Sequence, residues 1–465
     1  MLERGYFRMK KSTVTRRDFI KLGTGVAATG LAAKVTILEP LRLAAAPRPV
    51  PPSDTIRFAI LGTGVEGCSL LRSSLPVHGV ECVAAADLYD SRHIAAREAL
   101  NGKDIETTRE YRRLIDRKDI DAILCATPDH WHRRVVEEAC QAGKDVYCEK
   151  PMSHTVEDGA AMIAAVRKYQ RICEVGSHRV SSVLYAKAKE IWDSGKLGMV
   201  DSIQAAWDRN TDGGAFVHPI PPDASPQTID WDIWLDGAPP RPFDLGRFFS
   251  WRRFRDYGAG LAGDLFVHLL SGIQFVTGTN QPAERAYSSG DIYYYNDGRE
   301  FPDLLWTLYD YPKFKVVLRC NNNNAWEGEY FRFYGKNGTM GIHDDKLTFK
   351  PEASSHQMDD YSIYGWPKKL RDQYMSEWMK EHPLPRGGAS KAALAETEVF
   401  ATPPTYNDQT DHLANFFHAM RTRQHVVEDE VFGSYTAIGC HMSNQSYFSR
   451  TAVLWDAAAE QIKNV

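Results

Sequence analysis

Hydrophobic positions fall into two regimes along the chain. Between residues 56 and 175 the apolar stretches are short and largely continuous: Ile56–Leu61, Val80–Ala86, Asp121–Ala126, Asp145–Cys148 and Ile172–Val175. Segments of helical spacing separate them, from Cys68 onward, within Ile105–Ile115 and over Trp131–Ala142. Strands that read as apolar runs are buried on both faces, and their alternation with helices predicts a doubly wound parallel sheet. From residue 179 the pattern changes. Ser181–Asp193 is helical and ends at Gly195 and Gly198, and Val200–Trp207 alternates as a strand. Glu284–Tyr295, Leu304–Tyr311, Lys315–Asn321, Glu329–Gly335 and Gly338–His343 then read as consecutive strands of a mostly antiparallel sheet, with turns at Tyr311-Pro312 and Asn337-Gly338. His412–Arg423 and Phe432–Phe448 read as helices, whereas 353–404 is polar and irregular. The fold class is α/β, with a boundary near residue 178.

The first regime carries a nucleotide motif. Ile56–Leu61 runs directly into Gly62-Thr-Gly64-Val65-Glu-Gly67 and then a helix. The first glycine permits the tight turn, the second lets backbone approach a pyrophosphate, and the third lets helix and strand pack closely. The second strand ends in Asp87, where an acid binds a ribose hydroxyl and favours NAD; Arg92 nearby keeps NADP open. Asp87 would otherwise cap the next helix. Thr127-Pro128-Asp-His-Trp-His132 and Glu149-Lys150-Pro151 follow the next two strands, at the carboxyl ends where open α/β sheets bind ligands. His130 and His132 lack a third ligand nearby in sequence, so a loop around the cofactor is expected there and no metal.

Charge and composition narrow the class. The first fifty residues carry ten Lys/Arg against three acids, +7, so the remainder carries -11 of the net -4. An acidic body argues against nucleic acid as a partner. Thr15-Arg-Arg-Asp-Phe-Ile-Lys21, the weakly apolar run Leu22–Ala33 and Ala44-Ala45-Ala46 predict a twin-arginine leader over 1–46, read by the twin-arginine translocase, with a Pro-rich linker over 47–53. That places the protein in the periplasm, or anchored on the outer side of the inner membrane if the leader is retained. The domains are then 54–178 for the nucleotide and 179–465 for substrate and oligomerisation. Eight cysteines without a CxxC pair predict buried thiols rather than a disulfide framework.

Arg209–Arg255 is a long irregular segment rich in Trp, Pro and Arg, including Trp231, Trp234, Trp251, Arg252 and Arg253. Such a segment suits either a lid over a sugar or a subunit contact. It leads into Tyr257-Gly-Ala-Gly260-Leu-Ala-Gly-Asp264-Leu-Phe-Val-His268, where Asp264 and His268 share one helix face. They either hold a substrate hydroxyl or serve as helix cap and core histidine.

Together these pieces, with Asp411-His-Leu-Ala-Asn-Phe-Phe417 and His441-Met-Ser-Asn444, resemble the glucose-fructose oxidoreductase / inositol dehydrogenase (Gfo/Idh/MocA) family. The resemblance implies a Rossmann domain, a C-terminal α/β domain with a large open sheet, and oxidation of a sugar or polyol hydroxyl by hydride transfer to NAD or NADP. It implies Lys150 steadying the alkoxide, His268 as general base and Asp264 positioning the substrate. Gly62, Gly64, Val65, Gly67, Asp87, Thr127, Pro128, His132, Glu149 and Lys150 would hold the cofactor. Arg179, Trp251, Arg252 and Tyr257 would hold the substrate. An exported dehydrogenase would have to keep its cofactor bound, and a homo-oligomer, dimer or tetramer, is expected. The rival within the family is a redox-neutral NAD-dependent glycosidase.

Overall fold

The computed structural model describes residues 35–39, 54–352, 360–382 and 397–465; the twin-arginine motif, the Ala44–Ala46 site and the 47–53 linker lie outside the described residues. β1 (Val35–Ile37), within the stretch read as leader, pairs in parallel with Val399–Ala401. A six-stranded parallel sheet follows, built from β2 (Ile56–Leu61), β3 (Val80–Ala86), β4 (Glu106–Thr108), β5 (Ala122–Cys125), β6 (Asp145–Cys148) and β7 (Cys173–Val175). Its spatial order is β4-β3-β2-β5-β6-β7. The chain winds outward one way from β2 and then the other way from β5, so the crevice between their carboxyl ends is the topological switch point. The central strands are buried on both faces, as their apolar runs require.

The second sheet has eleven strands. β8 (Val200–Asp208), β9 (Arg285–Asp291), β10 (Leu304–Asp310), β11 (Lys315–Asn321), β12 (Glu329–Gly335), β13 (Gly338–His343), β14 (Lys346–Pro351), β15 (Glu398–Ala401), β16 (Val453–Asp456) and β17 (Gln461–Asn464) join β1 in the order β1-β15-β14-β13-β12-β8-β11-β10-β9-β16-β17. All neighbours run antiparallel except β8 with β11 and β1 with β15. The strand expected over Glu284–Tyr295 stops at Asp291. Beyond it the Asp303 carboxylate accepts the backbone N–H groups of Tyr293, Tyr294 and Tyr295 at 2.7 to 3.0 Å, which curls those residues into a turn. One face of the sheet is covered by helices that bring Leu269, Leu270 and Ile273 against Leu305, Val316 and Phe331. The other face leaves Tyr287, Trp306, Leu308 and Leu454 exposed.

Two pieces from the C-terminal half close the nucleotide domain. The helix Asp408–Thr422 puts Leu413, Phe416 and Phe417 onto Phe58, Leu70 and Leu71. The 209–255 segment contains two short helices, Trp231–Leu235 and Leu245–Phe249. It crosses to the loop after β3, where Ile229 bridges Tyr89, and Asp223 accepts hydrogen bonds from the Tyr89 and Ser91 hydroxyls. Trp231 and Trp234 stack on each other, buried with Tyr89, Phe248 and Tyr257, so these indoles fasten the segment to the first domain. No helix among the described residues is long and apolar enough to cross a membrane. All eight cysteines are free and buried.

Candidate active site

One cavity of about 970 Å³ runs from the glycine turn after β2 to the helix bearing Asp264 and His268. That is the upper end of the range for small-ligand pockets, about 300–1,000 Å³. Its nucleotide end is made mostly of backbone. Gly62 has φ +86°, and a Cβ on it would lie 2.5 Å from the Ala126 carbonyl oxygen. A Cβ on Gly67 would lie 2.0 Å from the Gly62 oxygen, so strand and helix can meet here only without a side chain. Gly64 opens the helix Val65–Ser74 with no side-chain cap, which leaves its first N–H groups free for an anion. A Cβ on Gly64 would point at the Arg92 guanidinium, 3.6 Å away. Asp87 accepts the Thr63 N–H at 2.8 Å and the Tyr89 N–H at 3.0 Å, and Arg92 stands 3.4 Å from it. Asp87 therefore organises its own loop rather than capping the next helix, which begins without a side-chain cap at Tyr89. The uncapped helix end and the glycine cradle fit a dinucleotide diphosphate, with Asp87 and Arg92 at the ribose position.

The other end is built from charged side chains. Lys150 Nζ donates to the Asp264 carboxylate Oδ1 and to the Asp264 carbonyl oxygen, each at 3.0 Å. The same carboxylate takes Arg252 Nε at 2.9 Å, with Arg209 at 3.5 Å. Asp264 does not begin its helix. It sits in a π-helical turn, Ala262–Phe266, that leads into Val267–Thr277, and such turns recur at functional sites because they displace the ladder by one residue. Burial would raise the Asp264 carboxyl, but Lys150, Arg252 and Arg209 outweigh it and hold the group well below the usual carboxylate range. His268 packs against Trp207 and His178, with ring centroids at 5.1 and 5.7 Å, and its Nδ1 has no hydrogen-bond partner. Burial, then the charges of Lys150, His178 and Arg179, push it well below the ordinary histidine value, so the imidazole is neutral.

Most of the residues expected from the sequence converge. Gly62, Gly64, Val65, Asp87, Thr127, Pro128, Glu149, Lys150, Trp251, Arg252, Asp264 and His268 all line the cavity. Four residues sit behind the wall. Gly67 acts through packing. His132 is buried, its ring nitrogens facing the carbonyl oxygens of Pro151 and Thr127 at 2.9 and 3.0 Å, so it braces the two loops without touching a ligand. Arg179 pairs with Glu329 and Asp408, each about a fifth exposed, and does not line the cavity. Tyr257 is fully buried against Trp234 and His130. Trp207, Arg209, His178 and Phe248 also line the cavity and escaped the sequence reading. Their local signal was weak, since Trp207 and Arg209 flank the end of a strand and Phe248 lies in an irregular segment. His130 and His132 do not converge on a metal; His130 bonds the Trp234 carbonyl. Cys125 and Cys148, directly opposite on β5 and β6, do lie with His132 in one buried group whose ligand atoms are within 4.8 Å of one another. The carbonyls around His132 ask for N–H donors rather than lone pairs, which works against an ion there.

Residues 56–177 match an oxidoreductase family described by its NAD-binding Rossmann fold, and residues 204–286 match that family's C-terminal alpha/beta domain. These two segments match the models of the Gfo/Idh/MocA family. The chain is similar to an inositol 2-dehydrogenase of Saccharopolyspora erythraea, 31% identical over 39% of this chain and 54% of that one. It thus spans about half the length of that relative. It also aligns with a 2,7-anhydro-N-acetylneuraminate hydratase of Mediterraneibacter gnavus, 25% identical over 74% of this chain and 93% of the relative. Its fold matches a levoglucosan dehydrogenase solved with NADH and levoglucosan, at TM-score 0.60 and 17% identity over 86% of this chain and 99% of that one.

Proposed function

We propose that this protein is an NAD(P)-dependent oxidoreductase that oxidises one hydroxyl of a sugar or polyol. The observation that carries the reading is the meeting, in one cavity, of a dinucleotide cradle with Lys150, Asp264 and His268. When bound, the nicotinamide supplies the hydride acceptor. The chain's own residues do the rest. An ammonium has three donors, and Lys150 spends two on Asp264, which fixes its direction and leaves one for the substrate oxygen. As that oxygen becomes an alkoxide, Lys150 stabilises it without reorganising. His268, neutral and lining the cavity, accepts the hydroxyl proton. The 209–255 segment lines the cavity and clasps the loop after β3, which supports a cofactor retained through turnover and re-oxidised in place by a second carbonyl substrate.

The Thr15–Lys21 twin-arginine pattern and the apolar run after it support export by the twin-arginine route to the periplasm or the outer side of the inner membrane. The exposed row Tyr287, Trp306, Leu308 and Leu454 on the open sheet face supports a homo-oligomer. A redox-neutral reaction, in which the hydride returns to the same sugar after elimination, is the second reading; the alignment with the anhydro-sugar hydratase favours it. The experiment is to denature purified protein, identify the released nucleotide, and then expose native protein to free sugars and aryl glycosides. Stoichiometric NAD or NADP that becomes reduced with a free sugar supports the oxidoreductase. Aglycone release without net reduction selects the second reading, and protein with no nucleotide and no affinity for one overturns both.

A further inference from the structure

The substrate end of the cavity holds more positive charge than its own chemistry uses. Three basic side chains, Lys150, Arg209 and Arg252, converge on one ionised carboxylate, Asp264. The neighbouring charges are balanced among themselves: Arg179 pairs with Glu329 and Asp408, and His178 with Asp408 at 3.0 Å. Glu149 and Asp129, the other carboxyls of that wall, are both raised by burial, and Asp129 is occupied by the Ala259 N–H at 3.1 Å. The two guanidiniums are also held in place. Arg209 lies over the Trp207 ring at 4.8 Å and Arg252 over Trp251 at 4.2 Å, each about a quarter exposed into the cavity. Arg252 Nε forms an ion pair with Asp264 at 2.9 Å, and no protein acceptor meets its terminal nitrogens among the described residues. An arginine fixed on an indole with its fork unspent is prepared for a planar anion.

We infer that the substrate is an acidic carbohydrate whose carboxylate is held by Arg209 and Arg252, beside the hydroxyl that Lys150 and His268 address. A neutral sugar would leave the excess charge uncompensated in a partly desolvated site, whereas a carboxylate matches both its sign and its planar geometry. This inference rests on the oxidoreductase reading only for the word substrate; the charge argument concerns binding.

The test is calorimetric binding to the nucleotide-loaded full chain of pairs that differ only in the acid: glucose with glucuronate and galactose with galacturonate, alongside glucose 6-phosphate and glucose 6-sulfate. At least one acid should bind about tenfold or more tighter than its neutral partner. Arg209→Gln and Arg252→Gln should each pull that ratio toward one, and Arg252→Lys, which keeps the charge but loses the fork, should fall between. Neutral sugars that bind as well as every acid, or a preference that survives the double glutamine variant with nucleotide still loaded, would overturn the inference. Phosphate or sulfate esters that outbind all the carboxylates would overturn the assignment to a carboxylate. Selective acid binding without nucleotide reduction would support this inference while contradicting the proposed oxidation.

Discussion

The two ends of the cavity are built on opposite plans. At the nucleotide end the contacts come from backbone: a turn at Gly62, an uncapped helix terminus at Gly64, and a strand and helix brought together at Gly67. At the substrate end they come from long charged side chains that arrive from distant parts of the chain, Lys150 after β6 and Arg209 and Arg252 from the two ends of the 209–255 segment, all meeting at Asp264. A backbone site is fixed by local geometry and serves one invariant ligand. A side-chain site depends on how distant elements pack, and a single substitution can retune it.

That difference sets the scale of each expected effect. The largest is at Gly67, where any Cβ would overlap the Gly62 carbonyl. Gly67→Val should leave protein with no co-purifying nucleotide, read by extraction and absorbance; a fully loaded variant would break the backbone account. Lys150→Met should come next. It removes the oriented donor without touching the cradle, so kcat should fall by about 10²–10³ while nucleotide content stays constant.

The pH profile sharpens the contrast further. Burial and the surrounding cations depress His268, so it is already deprotonated across the usual histidine range. On this account kcat/KM should hold steady as pH falls and drop only below about 6.5, the ordinary histidine value. Asp264→Asn removes the one charge that favours the imidazolium and should move that acid limb lower still. An acid limb at or above the ordinary value would remove His268 as the neutral base. The smallest effect is at the clasp. Asp223→Ala loses the acceptor for the Tyr89 and Ser91 hydroxyls and should speed nucleotide release severalfold in stopped-flow fluorescence, with the chemical step unchanged.

The same division explains what could be read in the sequence. Ile56–Leu61, Val80–Ala86 and Asp145–Cys148 are strands at those boundaries, because a strand buried on both faces writes its length as an apolar run. Gly62, Asp87 and Lys150 were legible because turn and strand end lie side by side in the chain. Arg209 and Trp207 were not, since nothing near them in sequence says that β8 ends beside the helix of Asp264. Arg179 misled for the same reason: its charge is neutralised by Glu329 and Asp408, some 150 and 229 residues away. The strands β14 to β17 went unread because short pairs near a sheet edge owe their form to their neighbours, not to an alternation of their own.

The proposed reaction joins the cradle and the Lys150–Asp264–His268 group in one hydride transfer. The most direct measurement is single-turnover reduction of the bound nucleotide by a sugar, in the wild-type chain and in Lys150→Met. Reduced nicotinamide should appear rapidly in the first and barely in the second, with equal nucleotide per chain in both. Equal reduction rates in the two proteins would contradict the proposed reaction.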